Sequence, residues 1–325
     1  MLIALLQIVG GFMLLVWGAD RLVAGASGLA NNFGLSPLII GLTIIGFGTS
    51  APELVVSAVA SLRGNPGIAV GNALGSNITN IGLVLGATAL LYPLRIDSIT
   101  LRREAPVLLM IMVLSTWLLW DLNLGKQDGL ILILGLLAML LWMIWLGLRR
   151  GEQDPLVQEL EAEIPTDMPV SRTIIWTVVG LIVLPLSSRI LVDGAVTVAT
   201  TLGISDTIIG LTIIALGTSL PELAAAMTSA MKNEHDLAVG NILGSNMFNL
   251  LGVLGIAALV HPLDVSPVLL SRDVLAMFLL TGALFILAMR KPGANRISRR
   301  GGLLLFLGFV VYTSIVIYSA VQGGN

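Results

Sequence analysis

The sequence predicts an all-α polytopic membrane protein, with about ten transmembrane helices arranged as two inverted five-helix repeats. Of its 325 residues, 56% are hydrophobic and 11% are charged, and the mean hydropathy is +0.97. A soluble domain carries roughly twice this share of charged residues. Apolar runs of about twenty residues, long enough to cross a bilayer, recur along the whole chain. The net charge of −2 indicates no nucleic-acid partner, and the lack of cysteine excludes disulfides and thiolate metal sites.

An internal duplication divides the chain. Residues 38–54 read LIIGLTIIGFGTSAPEL and residues 207–223 read TIIGLTIIALGTSLPEL, while AVGNALGSNITN at 69–80 returns as AVGNILGSNMFN at 238–249. The offset between the copies is 169 residues throughout. We therefore predict a first repeat over 1–148 with its motif at 38–80, a linker over 149–171, and a second repeat over 172–325 with its motif at 207–249.

Each repeat holds five apolar segments. The predicted helices are 2–28, 36–62, 67–92, 103–121 and 127–148 in the first repeat, and 172–198, 205–231, 237–260, 271–290 and 301–320 in the second. A unit with an odd number of spans places its copy upside down in the membrane. The halves are then related by a pseudo-two-fold axis in the membrane plane. The first segment lacks the basic region of a cleavable signal, so we expect it to remain as a helix.

Basic residues predict the orientation. With the N-terminus outside, twelve lysines and arginines fall in inner connections and three, Arg63, Lys126 and Arg272, in outer ones. The positive-inside rule therefore predicts that both termini lie outside and that the linker 149–171 is cytoplasmic. This linker is rich in acidic residues, but it lacks the spacing of a calcium-binding loop. We interpret it as a solvated connection rather than a calcium sensor.

Two glutamates, Glu53 and Glu222, lie mid-segment in the repeated motif, with no basic residue in the same helix core. A carboxylate at this depth is energetically costly, and intramembrane acids are usually functional. A protonated glutamate that only joins two helices is the alternative, but it explains two acids at repeat-related positions less well. Two carboxylates balance the charge of one Ca²⁺ or of two Na⁺.

Oxygen donors surround each acid. Thr49 and Glu53 are four residues apart and share a helix face, with Ser50 beside them. Pro52 lacks an N–H and interrupts the helix, which exposes backbone carbonyls that are tolerable in a membrane only where they line a site. The second copy repeats this set with Thr218, Ser219, Pro221 and Glu222.

The second motif places amides and hydroxyls on one helix stripe. The stripes are Asn72, Ser76 and Asn80 in the first copy and Asn241, Ser245 and Asn249 in the second. The interleaved glycines also favour close helix packing, and we expect both roles. Oxygen donors of these kinds suit hard cations such as Na⁺ and Ca²⁺, whereas transition metals prefer histidine or thiolate.

The paired motifs GTSAPEL with AVGNALGSNITN and GTSLPEL with AVGNILGSNMFN resemble the α-repeats of the Ca²⁺/cation antiporter superfamily, and of its prokaryotic sodium/calcium exchangers in particular. The resemblance implies ten helices in the bacterial inner membrane, with both termini outside. It implies secondary-active exchange of Na⁺ for Ca²⁺ by alternating access, with helices one and six sliding across a static core. It implies no cofactor and no enzymatic activity.

The resemblance also implies ligand roles. Glu53 and Glu222 would be the principal ligands of both ions, and Asn80 and Asn249 would line the centre. The remaining implied ligands are the backbone carbonyls of Thr49 and Thr218 for Ca²⁺, and Ser50, Ser76, Ser219 and Ser245 with the carbonyls of Gly46 and Ala215 for Na⁺. Some archaeal relatives have aspartate at the position of Asn249, so here the negative charge rests on the two glutamates alone.

Three alternatives stay open at this point. A Ca²⁺/H⁺ antiporter typically carries a Gly-Asn-x-x-Glu signature in place of the present motif. A K⁺-dependent exchanger has an aspartate where Asn249 stands. An intramembrane enzyme using Ser50 or Ser219 would need an adjacent base and an oriented partner, and the apolar segments hold no histidine, lysine or cysteine. The expected partners are therefore Ca²⁺ and Na⁺, with H⁺ or K⁺ as alternatives, and the lipid bilayer.

Overall fold

The computed structural model describes residues 2–33, 46–62, 66–96, 99–149, 168–201, 215–233, 235–288 and 296–323. The described chain is mostly helical, as predicted. In chain order its α-helices are α1 (Leu2–Phe33), α2 (Gly46–Thr49), α3 (Ala51–Leu62), α4 (Pro66–Thr79), α5 (Gly86–Leu91), α6 (Ile99–Leu118), α7 (Lys126–Arg149), α8 (Val170–Thr201), α9 (Ala215–Thr218), α10 (Leu220–Met231), α11 (His235–Phe248), α12 (Leu254–Val260), α13 (Leu275–Ala288) and α14 (Arg299–Gly323).

Seven helical stretches within these residues are long and apolar enough to cross a membrane. They are Leu2–Leu22, Ala69–Leu91, Lys126–Met143, Val170–Ser187, His235–Val260, Leu269–Ala288 and Arg299–Ser319. The apolar part of α6 is shorter and begins at Glu104. The predicted spans 36–62 and 205–231 are described only in part, and residues 150–167 of the predicted linker lie outside the described residues.

The helices of the first motif are interrupted where the prolines predict. α2 ends at Thr49 and α3 begins at Ala51, so Ser50 lies in the turn between them. In the second copy Ser219 lies in the turn between α9 and α10, with a backbone of φ −89° and ψ 6°. Because proline has no N–H, the regular helical hydrogen bond to the carbonyl four residues earlier is lost.

The helices of the second motif contain π-helical turns, which the sequence analysis did not predict. The segment π1 (Asn80–Leu85) joins α4 to α5, and π2 (Asn249–Val253) joins α11 to α12. Both begin at the last asparagine of the predicted stripe. Single π-helical turns are rare and occur frequently at functional sites. A third segment, π3 (Leu269–Val274), precedes α13 and contains Arg272, which pairs with the buried Asp273.

Burial separates the helices into two groups. The stretches Ala69–Leu91 and His235–Val260 are 72% and 89% buried, and they form the centre of the main hydrophobic core. By contrast, the spans of α1 and α8 are only 25% and 28% buried, and these two helices pack chiefly against each other.

Helices α1 and α8 cross closely in opposite directions. A Cβ on Gly194, near the end of α8, would lie 2.7 Å from the carbonyl oxygen of Ala4 at the start of α1. Near the end of α1, a Cβ on Gly25 would collide with Thr177 in the first turns of α8. Gly25 and Gly194 are repeat-related, so the same small residue permits close approach at both ends of the pair.

Within the described residues, four two-residue strands depart from the all-α prediction. They are β1 (Leu94–Arg95), β2 (Asn123–Leu124), β3 (Leu263–Asp264) and β4 (Arg296–Ile297). Strand β1 pairs with β4 and β2 pairs with β3, both antiparallel. Strands this short have no hydrophobic periodicity by which a sequence could reveal them.

The strand pairs fix the relative direction of two repeat-related helices. Strand β1 follows α5, whereas β3 follows α12 and is held by β2. Because β1 and β2 lie at opposite ends of α6, which is about 30 Å long, the C-terminal ends of α5 and α12 also lie at opposite ends of the bundle. These two helices therefore run in opposite directions.

Candidate cation-binding site

The two glutamates lie at equivalent points of the interrupted helices. Glu53 is in the first turn of α3 and Glu222 in the first turn of α10, and both are completely buried. The N-terminal end of a helix carries unpaired N–H groups and a partial positive charge, which stabilise a carboxylate there. The proline of each motif thus creates a helix start that favours the buried acid.

Serines from the opposite repeat contact each carboxylate. Ser50 Oγ donates a hydrogen bond to Glu222 Oε1 at 3.0 Å, and Ser219 Oγ donates one to Glu53 Oε1 at 3.4 Å. Since Ser50 corresponds to Ser219 and Glu53 to Glu222, exchanging the repeats maps one contact onto the other. The two acids therefore belong to one site that is shared between the halves.

The helix stripes supply the next contacts. Ser76 Oγ donates to Glu53 Oε1 at 3.4 Å within the first half. Ser245, its counterpart, interacts with Glu222 within the second half, and its Oγ also lies 3.4 Å from Thr49 Oγ1 in the opposite half. Each stripe serine therefore contacts the acid of its own half.

Asn72 is held by several hydrogen bonds. Its Nδ2 donates to the carbonyl oxygen of Glu53 at 3.1 Å and to Ser57 Oγ at 3.0 Å. Its Oδ1 accepts a hydrogen bond from Thr218 Oγ1 at 3.4 Å. Both ends of this amide are therefore occupied by protein groups.

At the centre, amides from the two halves meet. Asn80 Nδ2 donates to Asn246 Oδ1 at 3.0 Å, and Asn246 Nδ2 donates to the carbonyl oxygen of Asn77 at 3.4 Å. Asn249 is also completely buried, but neither atom of its amide has a hydrogen-bond partner within the part of the chain that the structure describes.

Several buried polar atoms of the site have no partner among the described residues. They are Oε2 of Glu53 and of Glu222, Oδ1 of Asn77 and of Asn80, and both amide atoms of Asn241 and Asn249. Buried polar groups in native proteins are nearly always hydrogen-bonded, and leaving one unpaired is costly. Oxygen atoms of this kind are positions where a cation or a water molecule can supply the missing partner.

No basic side chain among the described residues balances the charge of the two glutamates. Among the described residues, no ion pair joins Glu53 or Glu222 to a lysine, arginine or histidine. These residues also contain no cluster of three or more histidine or acidic side chains. The site offers two carboxylates with hydroxyl and amide oxygens, a donor set that suits hard cations.

The structure joins most of the predicted site residues. The hydrogen-bonded network contains Thr49, Ser50, Glu53, Ser76, Thr218, Ser219, Glu222 and Ser245, with Asn80 in the adjoining amide network. Asn249 is buried beside them without a hydrogen bond within the described chain. Gly46 and Ala215 are the first residues of α2 and α9, one turn before the interruptions, and no described contact joins them to the acids.

Sequence reasoning missed Ser57, Asn77 and Asn246. Asn77 and Asn246 are repeat-related and lie inside the doubled motif, so their repetition was a usable signal. Each directly follows a stripe serine, Ser76 or Ser245, and so falls outside the four-residue spacing that defined the stripe. Ser57 gave no signal, since the residue at its repeat-related position is Ala226.

Fold and site together define a multi-pass membrane protein with two buried carboxylates that are joined across its halves by hydroxyl groups. The family described as "Sodium/calcium exchanger protein" matches residues 3–148 and 172–318, and the chain belongs to this family.

Known proteins agree with this assignment. The chain is 46% identical to the "Putative antiporter CaxA" of Alkalimonas amylolytica, over 98% of this chain and 100% of that protein. It is 42% identical to the "Inner membrane protein YrbG" of Escherichia coli, over 97% of each. A solved structure of the sodium-calcium exchanger NCX_Mj matches with a TM-score of 0.80 and 30% identity, covering 96% of this chain and 97% of that one. The protein is thus a membrane antiporter of the Ca²⁺/cation class, in a family of transporters rather than enzymes.

Proposed function

We propose that the protein exchanges Na⁺ for Ca²⁺ across the bacterial inner membrane by alternating access. The observation that carries this proposal is the crossed pair of hydrogen bonds from Ser50 to Glu222 and from Ser219 to Glu53. A site built from two carboxylates binds one divalent ion or two monovalent ions with balanced charge. When one cation leaves, the two buried acids repel each other, which favours entry of another cation.

In this proposal the architecture is two inverted five-helix repeats, over 1–148 and 172–325, joined by a cytoplasmic linker. The strand pairing supports the inversion, since it requires α5 and α12 to run in opposite directions. The antiparallel contact of α1 with α8 supports it independently. Both termini would lie outside, as the distribution of basic residues predicts.

The ligand roles follow the geometry. Glu53 and Glu222 would bind both ions through Oε2, the oxygen that the protein leaves without a partner among the described residues. Ser50, Ser76, Ser219 and Ser245, with carbonyls of Gly46, Thr49, Ala215 and Thr218, would complete the flanking positions. Asn80 and Asn249 would line the centre, where π1 and π2 begin.

Alternating access would use the weakly buried pair of α1 and α8. These helices pack chiefly on each other, whereas the helices of the second motif form the buried core. A pair with few contacts to the core can shift as a unit at lower cost than a core helix. We therefore assign the motion to this pair and the ion site to the core.

The test is transport by the purified protein in sealed vesicles, with Na⁺, K⁺ and H⁺ gradients imposed separately. An outward Na⁺ gradient should drive ⁴⁵Ca²⁺ uptake, and a K⁺ or pH gradient alone should not. Uptake driven only by a pH gradient would contradict the proposal and identify a Ca²⁺/H⁺ antiporter. That second candidate is favoured by one observation: in the described chain no basic group neutralises the acids, so protons are a chemically available alternative.

A further inference from the structure

The first asparagines of the two stripes have different hydrogen-bond environments. Asn72 and Asn241 occupy repeat-related positions and both are buried, with 8% and 3% of their surface exposed. The amide of Asn72 is occupied at both ends by Glu53, Ser57 and Thr218. The amide of Asn241 has no partner for either its oxygen or its nitrogen among the described residues.

A single sequence difference helps to explain this contrast. Ser57, whose hydroxyl accepts a hydrogen bond from Asn72, corresponds to Ala226 in the second half. Both positions are completely buried on the helix that carries the acid. The alanine methyl cannot accept a hydrogen bond, so Asn241 lacks the contact that fixes the orientation of Asn72.

Asn241 lies on the helix face that also carries the stripe residues of the ion site. Asn241, Ser245 and Asn249 are spaced by four residues along α11 and the start of π2, and therefore share one face. Ser245 on this face contacts Thr49 of the opposite half. An unpaired amide buried in a membrane protein needs a polar partner, and here the nearest source is the cation site or its water.

We propose that Asn241 is a further cation ligand, which supplies its amide oxygen to a monovalent-ion position on the second-half side of the site. Asn72 is its structural counterpart and holds the first-half helices together. Amide oxygens bind Ca²⁺ as well as Na⁺, so the charge balance decides the assignment. A position to one side of the carboxylate pair offers one acid with neutral oxygens, and this balances the single charge of a monovalent ion. This inference rests on the proposed function, which supplies Na⁺ as that ion.

The test compares Asn241→Ala with Asn72→Ala in vesicles and in detergent. Asn241→Ala should raise the Na⁺ concentration for half-maximal exchange by about fivefold, the effect of losing one neutral ligand contact. The Ca²⁺ concentration for half-maximal exchange should change by less than about twofold. Asn72→Ala should instead lower the thermal unfolding temperature measured without ions, because Glu53 and Ser57 lose their partner.

A second variant tests the same idea without removing the amide. Ala226→Ser places a hydroxyl where the first half has Ser57, so it should engage Asn241 and also raise the half-maximal Na⁺ concentration. The inference is overturned if Asn241→Ala and Ala226→Ser leave Na⁺ dependence unchanged. It is also overturned if Ca²⁺ dependence shifts equally, or if Asn241→Ala destabilises the protein as Asn72→Ala does.

Ligand binding separates this inference from the proposed function. In detergent, Na⁺ added to the purified protein should raise its unfolding temperature, and Asn241→Ala should shift that titration to higher Na⁺. If the unmodified protein shows no Na⁺-driven Ca²⁺ uptake, the proposed function fails. The Na⁺ titration of unfolding then still decides whether Asn241 binds the ion.

Discussion

The contacts of the two acids obey the repeat symmetry more closely than the helices that carry the acids. Exchanging repeat-related residues converts the contact of Ser50 with Glu222 into that of Ser219 with Glu53. The helices α3 and α10, which begin at these acids, are held in different ways. Ser57 and Ser61 of α3 correspond to Ala226 and Ala230 of α10. The repeat symmetry is therefore retained in the hydrogen bonds to the carboxylates. It is lost at the hydroxyl groups that hold α3 in place.

Side-chain hydrogen bonds fasten the first-half helix. Ser57 Oγ donates to the carbonyl oxygen of Ala69 at 3.3 Å and accepts from Asn72. Ser61 Oγ donates to the carbonyl oxygen of Ala257 at 2.6 Å. Helix α10 instead presents buried alanines, which pack without direction. Among the described residues, side-chain hydrogen bonds of Ser57 and Ser61 therefore hold α3, and alanines occupy the equivalent positions of α10.

The largest expected effect tests the mirrored part. Glu53→Ala and Glu222→Ala should each reduce Na⁺-driven Ca²⁺ uptake at least about a hundredfold, because losing a buried charged partner costs about 3 kcal/mol or more. Insertion and folding should persist, since the substitution removes a buried charge. Asp193→Asn, at an exposed acid of α8, is the control and should transport normally. If only one glutamate variant lost transport, the shared site would be wrong.

A smaller effect tests the two equivalent hydrogen bonds from serine to carboxylate. Ser50→Ala and Ser219→Ala should both raise the half-maximal cation concentration, by about ten- to a hundredfold for a lost hydrogen bond to a carboxylate. Ser50→Ala should have the larger effect, because its contact is 3.0 Å and that of Ser219 is 3.4 Å. The measurement is the concentration dependence of ⁴⁵Ca²⁺ uptake. An effect confined to one serine would show that only one of the two equivalent hydrogen bonds contributes to cation binding.

These expectations show what the sequence could predict. The acids, their serines and the helix interruptions were predictable, because a buried acid and a proline act locally and both occur twice. Asn77 and Asn246 could have been found from the same repetition. The hydrogen bonds of Ser57 and Ser61 could not be predicted, because each one joins groups on different helices that only the folded structure brings together. The strand pairs and the π-helical turns were likewise invisible, since they are too short to leave a periodic pattern.

A stability measurement tests the fastened half. Ser57→Ala and Ser61→Ala should each lower the free energy of unfolding by about 1–2 kcal/mol, because buried carbonyl or amide groups lose a partner. Thermal or denaturant unfolding in detergent measures this change. Ser314→Ala is a matched control, as the exposed Ser314 only bonds a carbonyl of its own helix, and it should change stability by less than about 0.5 kcal/mol. If Ser57→Ala and Ser61→Ala both left the free energy of unfolding unchanged, these hydrogen bonds would not be what holds α3 in place.

The smallest effect concerns the boundary between α1 and the end of α10. Lys232 Nζ lies 3.4 Å from Asp20 Oδ1, with about a third of each side chain exposed. The sequence has Arg63 and Arg189 at the counterpart positions, and two residues of like charge cannot form an ion pair, so the repeat does not preserve this contact. An exposed pair contributes about 0.2–1 kcal/mol and is screened by salt. A double-mutant cycle of Lys232→Gln and Asp20→Asn, read by transport rate, should give a coupling in this range that falls as ionic strength rises. A coupling that exceeded the effect of Ser57→Ala, or that resisted salt, would mean that the pair becomes buried during transport. Helix α1 would then be held by the second half of the chain, whereas the side-chain hydrogen bonds of Ser57 and Ser61 lie on the first half.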